Sequence, residues 1–152
     1  MLRASTLVFA VFAAAAVAAA AEEKGQVFKS DSCQCCIKWM AHMVQNGFVL
    51  EGKDIPSSER VRMRAHLGVK PEHAACHTAL IGGYLIEGHV PAEDVKRLLA
   101  EKPDAKGLAV PGMSAGSPGM EMPNVTAEPY EVLLIKKDGS TEVFARHQGK
   151  GE

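Results

Sequence analysis

The chain has 152 residues, of which 47% are hydrophobic and 23% are charged, and its formal net charge is −1 at pH 7. A near-neutral chain without a basic stripe is poorly suited to nucleic acid, so nucleic acid is not an expected partner. The long apolar segment lies at the N-terminus, and no second one follows it. A membrane-embedded role is therefore not expected for the rest of the chain.

The first 21 residues have the layout of a secretory signal peptide. Arg3 supplies a positive end, residues 7–17 form an uncharged apolar run, and Ala19-Ala20-Ala21 fits a small-residue cleavage site. An uncleaved membrane anchor is the alternative, but the run is shorter than the roughly 20 residues that span a bilayer. The sequence therefore predicts a signal peptide over residues 1–21 and a mature domain over residues 22–152, exported to a bacterial periplasm.

The mature part predicts strands and helices in alternation. Apolar periodicity marks their interiors, and proline, serine, asparagine and glycine mark their ends. The expected strands cover residues 26–29, 48–55, 78–81 and 84–87, and the expected helices cover residues 35–45, 56–67 and 91–101. Gly82-Gly83 between two of the strands predicts a two-residue hairpin turn.

The last third of the chain predicts a loop and a hairpin. Residues 103–129 are rich in Gly, Pro, Ala, Ser and Met, which indicates a long loop. Residues 130–147 predict a hairpin that turns at Asp138-Gly139. The whole order predicts an α/β fold of the thioredoxin-like kind, a central mixed sheet flanked by helices, with an added C-terminal β-hairpin.

Three of the four cysteines, Cys33, Cys35 and Cys36, fall within four positions at the start of the first expected helix. Thiolate sulfur is a soft metal ligand and a nucleophile, so the cluster indicates metal binding, redox chemistry or a disulfide staple. Cys33 and Cys36 have the Cys-x-x-Cys spacing of a redox pair. A redox pair does not need Cys35, whereas a soft metal site gains from a third thiolate.

The fourth cysteine is expected beside this cluster. In a thioredoxin-like fold, the turn before the third strand packs against the Cys-x-x-Cys motif and normally carries a cis-proline. Here that turn is Cys76-His77, so two potential ligands replace an inert residue. Met113, Met120 and Met122, in the long loop, are further candidates because thioether sulfur prefers Cu(I). The other histidines are weaker candidates: His42 is expected on the surface, and His89 is expected to help the entry of the helix that follows it.

Several motifs together resemble the CopG-like copper-resistance family, small exported metal-binding proteins, over residues 27–146. These motifs are Cys33-Gln34-Cys35-Cys36-Ile37-Lys38-Trp39, Cys76-His77-Thr78-Ala79, Gly82-Gly83-Tyr84, Glu87-Gly88-His89-Val90-Pro91 and Gly107-Leu108-Ala109-Val110-Pro111-Gly112-Met113. The resemblance implies a thioredoxin-like fold and a cysteine-rich copper site that holds one or several ions. The ligands that it implies are Cys33, Cys35, Cys36 and Cys76, together with His77 and Met113.

The leading hypothesis is a periplasmic protein of copper resistance that holds Cu(I) in a thiolate-rich, polynuclear site, with Cu(I)/Cu(II) cycling as a further prediction. Its expected partners are copper ions and other periplasmic copper-handling proteins. A binding protein is favoured over a copper oxidoreductase. Two alternatives stay open: a thiol-disulfide oxidoreductase that uses Cys33 and Cys36, and a structural site with zinc or disulfides. Zinc is disfavoured because three ligands within four residues are cramped for one tetrahedron.

Overall fold

The computed structural model describes residues 23–149. This part of the chain forms one seven-stranded mixed sheet with three α-helices. The elements in chain order are β1 (Glu23–Lys29), α1 (Gln34–Gln45), β2 (Phe48–Asp54), α2 (Ser57–Leu67), a 3₁₀ turn (Pro71–His73), β3 (Thr78–Ile81), β4 (Tyr84–Glu87), α3 (Ala92–Glu101), β5 (Ala105–Ala109), β6 (Tyr130–Lys136) and β7 (Thr141–His147).

The strands lie in the order β2-β1-β3-β4-β5-β6-β7. Strand β1 pairs in parallel with β2 and antiparallel with β3, and β3 pairs antiparallel with β4. These four strands reproduce the order and directions of a thioredoxin-like core. Strand β5 then runs parallel to β4, and β6 and β7 extend the sheet antiparallel to it. The expected fold class, a mixed sheet with helices and a C-terminal hairpin, is confirmed.

The helices cover both faces of the sheet because the central strands carry apolar side chains on both faces. On one face, α1 and α3 pack on the larger core cluster, which includes Trp39, Leu98 and Ile86. On the other face, the end of α2 packs with Leu85, the neighbour of Ile86 that points the opposite way. The sheet is therefore the middle layer of three.

The long loop expected over residues 103–129 contains strand β5, which could not be recognised from the composition of this segment. Gly107 explains why this strand reads as a loop. A Cβ at this position would lie within bonding distance of the Leu85 carbonyl oxygen, so the β4 backbone passes where a side chain would stand. Glycine permits that approach but lowers strand propensity. Residues 110–129, after β5, form neither a helix nor a further strand.

The signal peptide predicted for residues 1–21 lies outside the described residues and stays a prediction. Within residues 23–149, none of the helices has both the length and the apolar character needed to cross a bilayer.

Candidate metal centre

The cysteine motif sits at the N-terminus of α1, the position that the sequence predicts. Cys33 is the N-cap residue and accepts a hydrogen bond from the Ile37 amide at 3.2 Å, while Cys35 and Cys36 lie in the first helical turn. Cys36 is buried, and Cys33 and Cys35 are partly exposed. The amide of Ser32, the residue before the cap, donates a hydrogen bond to the Asp31 side chain at 2.7 Å.

Sheet register brings Cys76 to this motif. Strand β1 ends at Lys29, just before the motif, and its Phe28 pairs with Thr78 at the start of β3. Cys76 precedes Thr78 by two residues and therefore lies beside the start of α1. The sulfur atoms of all four cysteines lie within 4.8 Å of one another. The structure thus brings together the four cysteines that the sequence predicts as one site.

The four sulfur atoms are in two chemical states. Cys33 and Cys36 form a disulfide, while Cys35 and Cys76 are free thiols. The Cys35 sulfur lies 3.5 Å from the Cys33 sulfur and 3.7 Å from the Cys76 sulfur. A set of four thiolate ligands therefore requires that this disulfide first be reduced.

His89 belongs to the centre although sequence reasoning gave it only a structural role. Its Nε2 lies 2.9 Å from the Cys76 sulfur, and its Nδ1 donates to the Pro118 carbonyl oxygen at 2.8 Å. Because a carbonyl oxygen only accepts, Nδ1 carries the hydrogen and Nε2 presents its lone pair to Cys76. The pairing of strands in the β3–β4 hairpin is the signal that could have placed His89 at the centre. Since Thr78 pairs with Glu87, residues just before β3 face residues just after β4.

His77 is fully buried against the same cysteine. Its Nδ1 lies 4.0 Å from the Cys76 sulfur, and its ring packs on Trp39 at 4.3 Å and edge-on to His89 at 5.0 Å. Cys76, His77 and His89 form a second group whose potential ligand atoms lie within 4.8 Å of one another. The predicted residue His77 is therefore placed at the centre, together with a second imidazole.

Burial sets the charge of these groups. Burial, and then the neighbouring Cys35, raises the pKa of the Cys76 thiol to about 12. Burial lowers the pKa of His77 well below its usual value, and His89 and Arg64 add to this effect. Burial also lowers the pKa of His89. Both imidazoles are thus neutral at pH 7, the form that binds metals, and a metal ion must displace the proton of Cys76.

A buried carboxylate holds the Cys76-His77 segment from both sides. Glu87 accepts hydrogen bonds from the Ala75 amide at 2.8 Å and from the Thr78 hydroxyl at 2.6 Å. Its charge is balanced by Arg64 of α2, whose Nε lies 2.8 Å from Oε1. Arg64 also donates to the Ala75 carbonyl oxygen. The Arg64 side chain is therefore largely buried in this ion pair.

Met113 lies near the centre along the backbone, with an outward side chain. The Gly112 amide donates to the Ala74 carbonyl oxygen at 3.1 Å, which draws this loop alongside the segment that precedes Cys76. The Met113 side chain is 63% exposed, whereas Met120 of the same loop is buried. The structure does not bring Met113 into the packed cluster of sulfur atoms and imidazoles.

Together, these features define a class: small α/β proteins in which a helix N-terminus and a hairpin end converge on a cysteine- and histidine-rich centre with metal-ligand chemistry. The structure is similar to two solved structures named copper resistance protein CopG, Form 2 and Form 1, with 35% and 36% sequence identity and a TM-score of 0.75 for both. In both comparisons the matched region covers 83% of this chain and 98% of the CopG chain. The chain therefore belongs to the CopG family of copper resistance proteins, as its motifs suggest.

A family model described as a protein of unknown function, DUF411, matches residues 73–120. This span contains Cys76, His77, His89 and Met113, but not the motif at α1. No curated protein sequence matches the chain.

Proposed function

We propose that this protein binds copper ions through its cysteine centre and contributes to copper resistance, as the name of its structural relatives suggests. One observation carries the proposal. The sulfur atoms of Cys33, Cys35, Cys36 and Cys76 lie within 4.8 Å of one another, although they come from two separate segments of the chain. Thiolates are soft ligands that suit Cu(I) as well as zinc, and together with the copper named for the relatives they make Cu(I) the proposed form.

Copper binding by all four cysteines starts with reduction of the disulfide. A reducing dithiol of a partner protein supplies two electrons, the Cys33–Cys36 bond breaks, and the two sulfur atoms become thiols. Each thiol that then binds Cu(I) releases its proton to solvent. With sulfur atoms this close, one thiolate is able to bridge two ions, which supports the proposal of several ions in one cluster.

The two imidazoles are proposed as nitrogen ligands on the Cys76 side. The lone pair of His89 Nε2 already points at the Cys76 sulfur at 2.9 Å, and the Pro118 carbonyl oxygen fixes the ring. His77 offers Nδ1 on the same side at 4.0 Å from that sulfur. Met113 stays a proposed ligand from the loop, and it would have to turn inward to reach the centre.

The proposed setting is the bacterial periplasm, reached through the signal peptide predicted for residues 1–21. Copper would be exchanged there with other copper-handling proteins. A centre with both sulfur and nitrogen ligands suits Cu(I)/Cu(II) cycling better than sulfur alone, because imidazole also binds Cu(II). Each oxidation of Cu(I) to Cu(II) would pass one electron to an oxidising redox partner, and each reduction back to Cu(I) would take one electron from a reducing partner.

Copper loading tests the proposal. The reduced protein is loaded with Cu(I) under anaerobic conditions, and bound copper per chain is measured for the unaltered protein, Cys35→Ser and Cys76→Ser. Both variants should bind less copper because each lacks one thiolate. His89→Asn should also bind less copper, because it lacks a proposed imidazole ligand. His66→Asn is the control and should bind as much as the unaltered protein, since His66 is an exposed histidine of α2. Binding near zero, or binding unchanged in both cysteine variants, would contradict the proposal.

A second candidate function, thiol-disulfide exchange, is favoured by the Cys33–Cys36 disulfide. A substrate thiolate would attack the Cys33 sulfur, form a mixed disulfide and release Cys36 as a thiolate. A second substrate thiolate would then attack the mixed disulfide, leaving the substrate oxidised and both cysteines reduced. This activity should survive Cys35→Ser and Cys76→Ser and disappear with Cys33→Ser, a pattern that copper binding does not predict.

A further inference from the structure

A separate cavity of about 490 Å³ opens beside the cysteine centre. It lies between the end of α1, the start of α3, the loop around Pro118 and the segment that follows β7. A volume of this size is typical of sites for small organic molecules and is much larger than a single metal ion needs. Among residues 23–149, metal-type donors converge within 4.8 Å around the cysteines and not in this cavity. An organic ligand therefore fits the cavity better than a bare ion.

The cavity has a negative electrostatic character. Glu93 and Glu121 line it together with the two histidines His42 and His147, and its described lining contains neither lysine nor arginine. Burial, and then the charges of Asp94, Glu93 and Glu121, raise the pKa of Tyr130, which also lines the cavity. The negative charges of three carboxylates are therefore close enough to disfavour ionisation of the Tyr130 hydroxyl. A positively charged ligand is favoured, and an anionic one is disfavoured.

One wall of the cavity is aromatic and held in place. The Tyr130 ring stacks on the His147 ring, with 5.2 Å between the ring centroids. His147 Nε2 lies 2.6 Å from the buried carboxylate of Asp94, and Nδ1 lies 3.6 Å from Glu93. A fixed aromatic ring beside carboxylates suits an organic ammonium group, since such cations also favour contact with aromatic faces.

Another part of the lining adjoins the cysteine centre. Pro118 lines the cavity, and its carbonyl oxygen accepts the Nδ1–H of His89. The next residue, Gly119, lies so close to α1 that a Cβ there would be 2.7 Å from the Cys35 carbonyl oxygen. Glu121 accepts a hydrogen bond from the Gly119 amide at 2.7 Å. A ligand that contacts Glu121 and Pro118 therefore touches the loop that orients His89.

From these observations we infer that the cavity is a binding site for a small organic ammonium compound, distinct from the cysteine centre and independent of the copper proposal. The carboxylates of Glu93 and Glu121 receive the N–H donors of the ligand, and its carbon chain lies against Tyr130. The bound compound contacts the residues 116–121 that separate the two sites.

Calorimetry with 1,4-diaminobutane tests this inference on the metal-free protein at low ionic strength. Saturable one-to-one binding is expected for the unaltered protein, and none is expected for the neutral analogue 1,4-butanediol. The double variant Glu93→Gln, Glu121→Gln should lose at least about tenfold in affinity, because charge-assisted hydrogen bonds become neutral ones. Glutamine keeps an oxygen that accepts the Gly119 amide, so the loop should stay in place.

Glu51→Gln is the matched control, since Glu51 is an exposed carboxylate on β2, at the other edge of the sheet. Its affinity for the diamine should be unchanged. Amide chemical shifts in NMR spectra should move at residues 116–121 and at His89 when the diamine binds. Absence of saturable binding, equal affinity in the double variant, equal loss in Glu51→Gln, or shifts confined to other surfaces would each overturn the inference.

Discussion

Glu87 holds the Cys76-His77 segment by accepting hydrogen bonds from the residues on both sides of it. Its side chain is fully buried, and burial raises its pKa against the opposing effect of Arg64. An ion pair of this kind adds little net stability compared with an apolar pair, but breaking it is costly because one charge stays buried. The geometry at Cys76 therefore depends on a residue that does not itself reach the sulfur atoms.

Arg64→Met should lower the free energy of unfolding by about 3–5 kcal/mol, because Glu87 loses its cationic partner in a buried place. Urea denaturation of the metal-free protein measures this change. Arg62→Met, an exposed position of the same helix, is the matched control and should change stability by less than about 0.5 kcal/mol. Similar losses in the two variants would show that the ion pair does not have the proposed role.

Cys76 should react slowly with alkylating reagents in the metal-free protein. Its pKa of about 12 means that the thiolate, which is the reactive form, is scarce at pH 8. Alkylation by iodoacetamide, followed by peptide mass spectrometry, should proceed at least about 100-fold more slowly at Cys76 than at an ordinary exposed thiol. The rate should rise about tenfold per pH unit as the pH approaches the pKa. Rapid labelling at pH 8 would contradict the burial-based account of this thiol.

At the scale of elements, the first turn of α1 is covered by the loop that contains Gly119. Gly119 has a φ of +84° and leaves no space for a Cβ, which would lie 2.7 Å from both the Cys35 carbonyl oxygen and the Trp39 amide nitrogen. The close approach seals the buried side of the cysteine motif. Trp39 itself is anchored by a hydrogen bond from its indole to the Val90 carbonyl oxygen at 2.8 Å.

Gly119→Ala should destabilise the protein more than Gly47→Ala. Both glycines have a positive φ, but a Cβ at Gly47 meets nothing within 4 Å. The control should therefore show only the cost of the left-handed conformation, about 1–2 kcal/mol. Gly119→Ala adds a collision with backbone atoms, which cannot move away as a flexible side chain can. Thermal or urea unfolding compares the two, and equal losses would mean that the loop does not press on α1.

Local patterns explain which elements could be predicted from the sequence. Both strands of the β3–β4 hairpin have the bounds predicted from the sequence, because Gly82-Gly83 separates two short apolar runs. Strand β5 was missed because its small residues resemble a loop, and its presence depends on pairing with β4 and β6. The role of His89 was missed for a similar reason. It becomes visible only when the pairing of Thr78 with Glu87 is known.

At the scale of the whole molecule, the sheet brings distant cysteines together. The pairing of β1 with β3 connects the motif of α1 to Cys76, which lies 41 residues beyond Cys35. The expected thioredoxin-like order of strands and helices was enough to predict that Cys76 lies beside the cysteine motif of α1. The disulfide state and the buried network of Glu87 and Arg64 could not be predicted in this way, since both depend on tertiary geometry.

The central claim is that copper binds to the sulfur atoms of this centre, and X-ray absorption at the copper edge tests it most directly. The reduced protein loaded with Cu(I) should give a first coordination shell dominated by sulfur, with fewer sulfur neighbours per copper ion in Cys76→Ser. Copper–copper scattering should appear if several ions share bridging thiolates. A first shell of nitrogen and oxygen alone, or a sulfur shell unchanged in Cys76→Ser, would contradict the account.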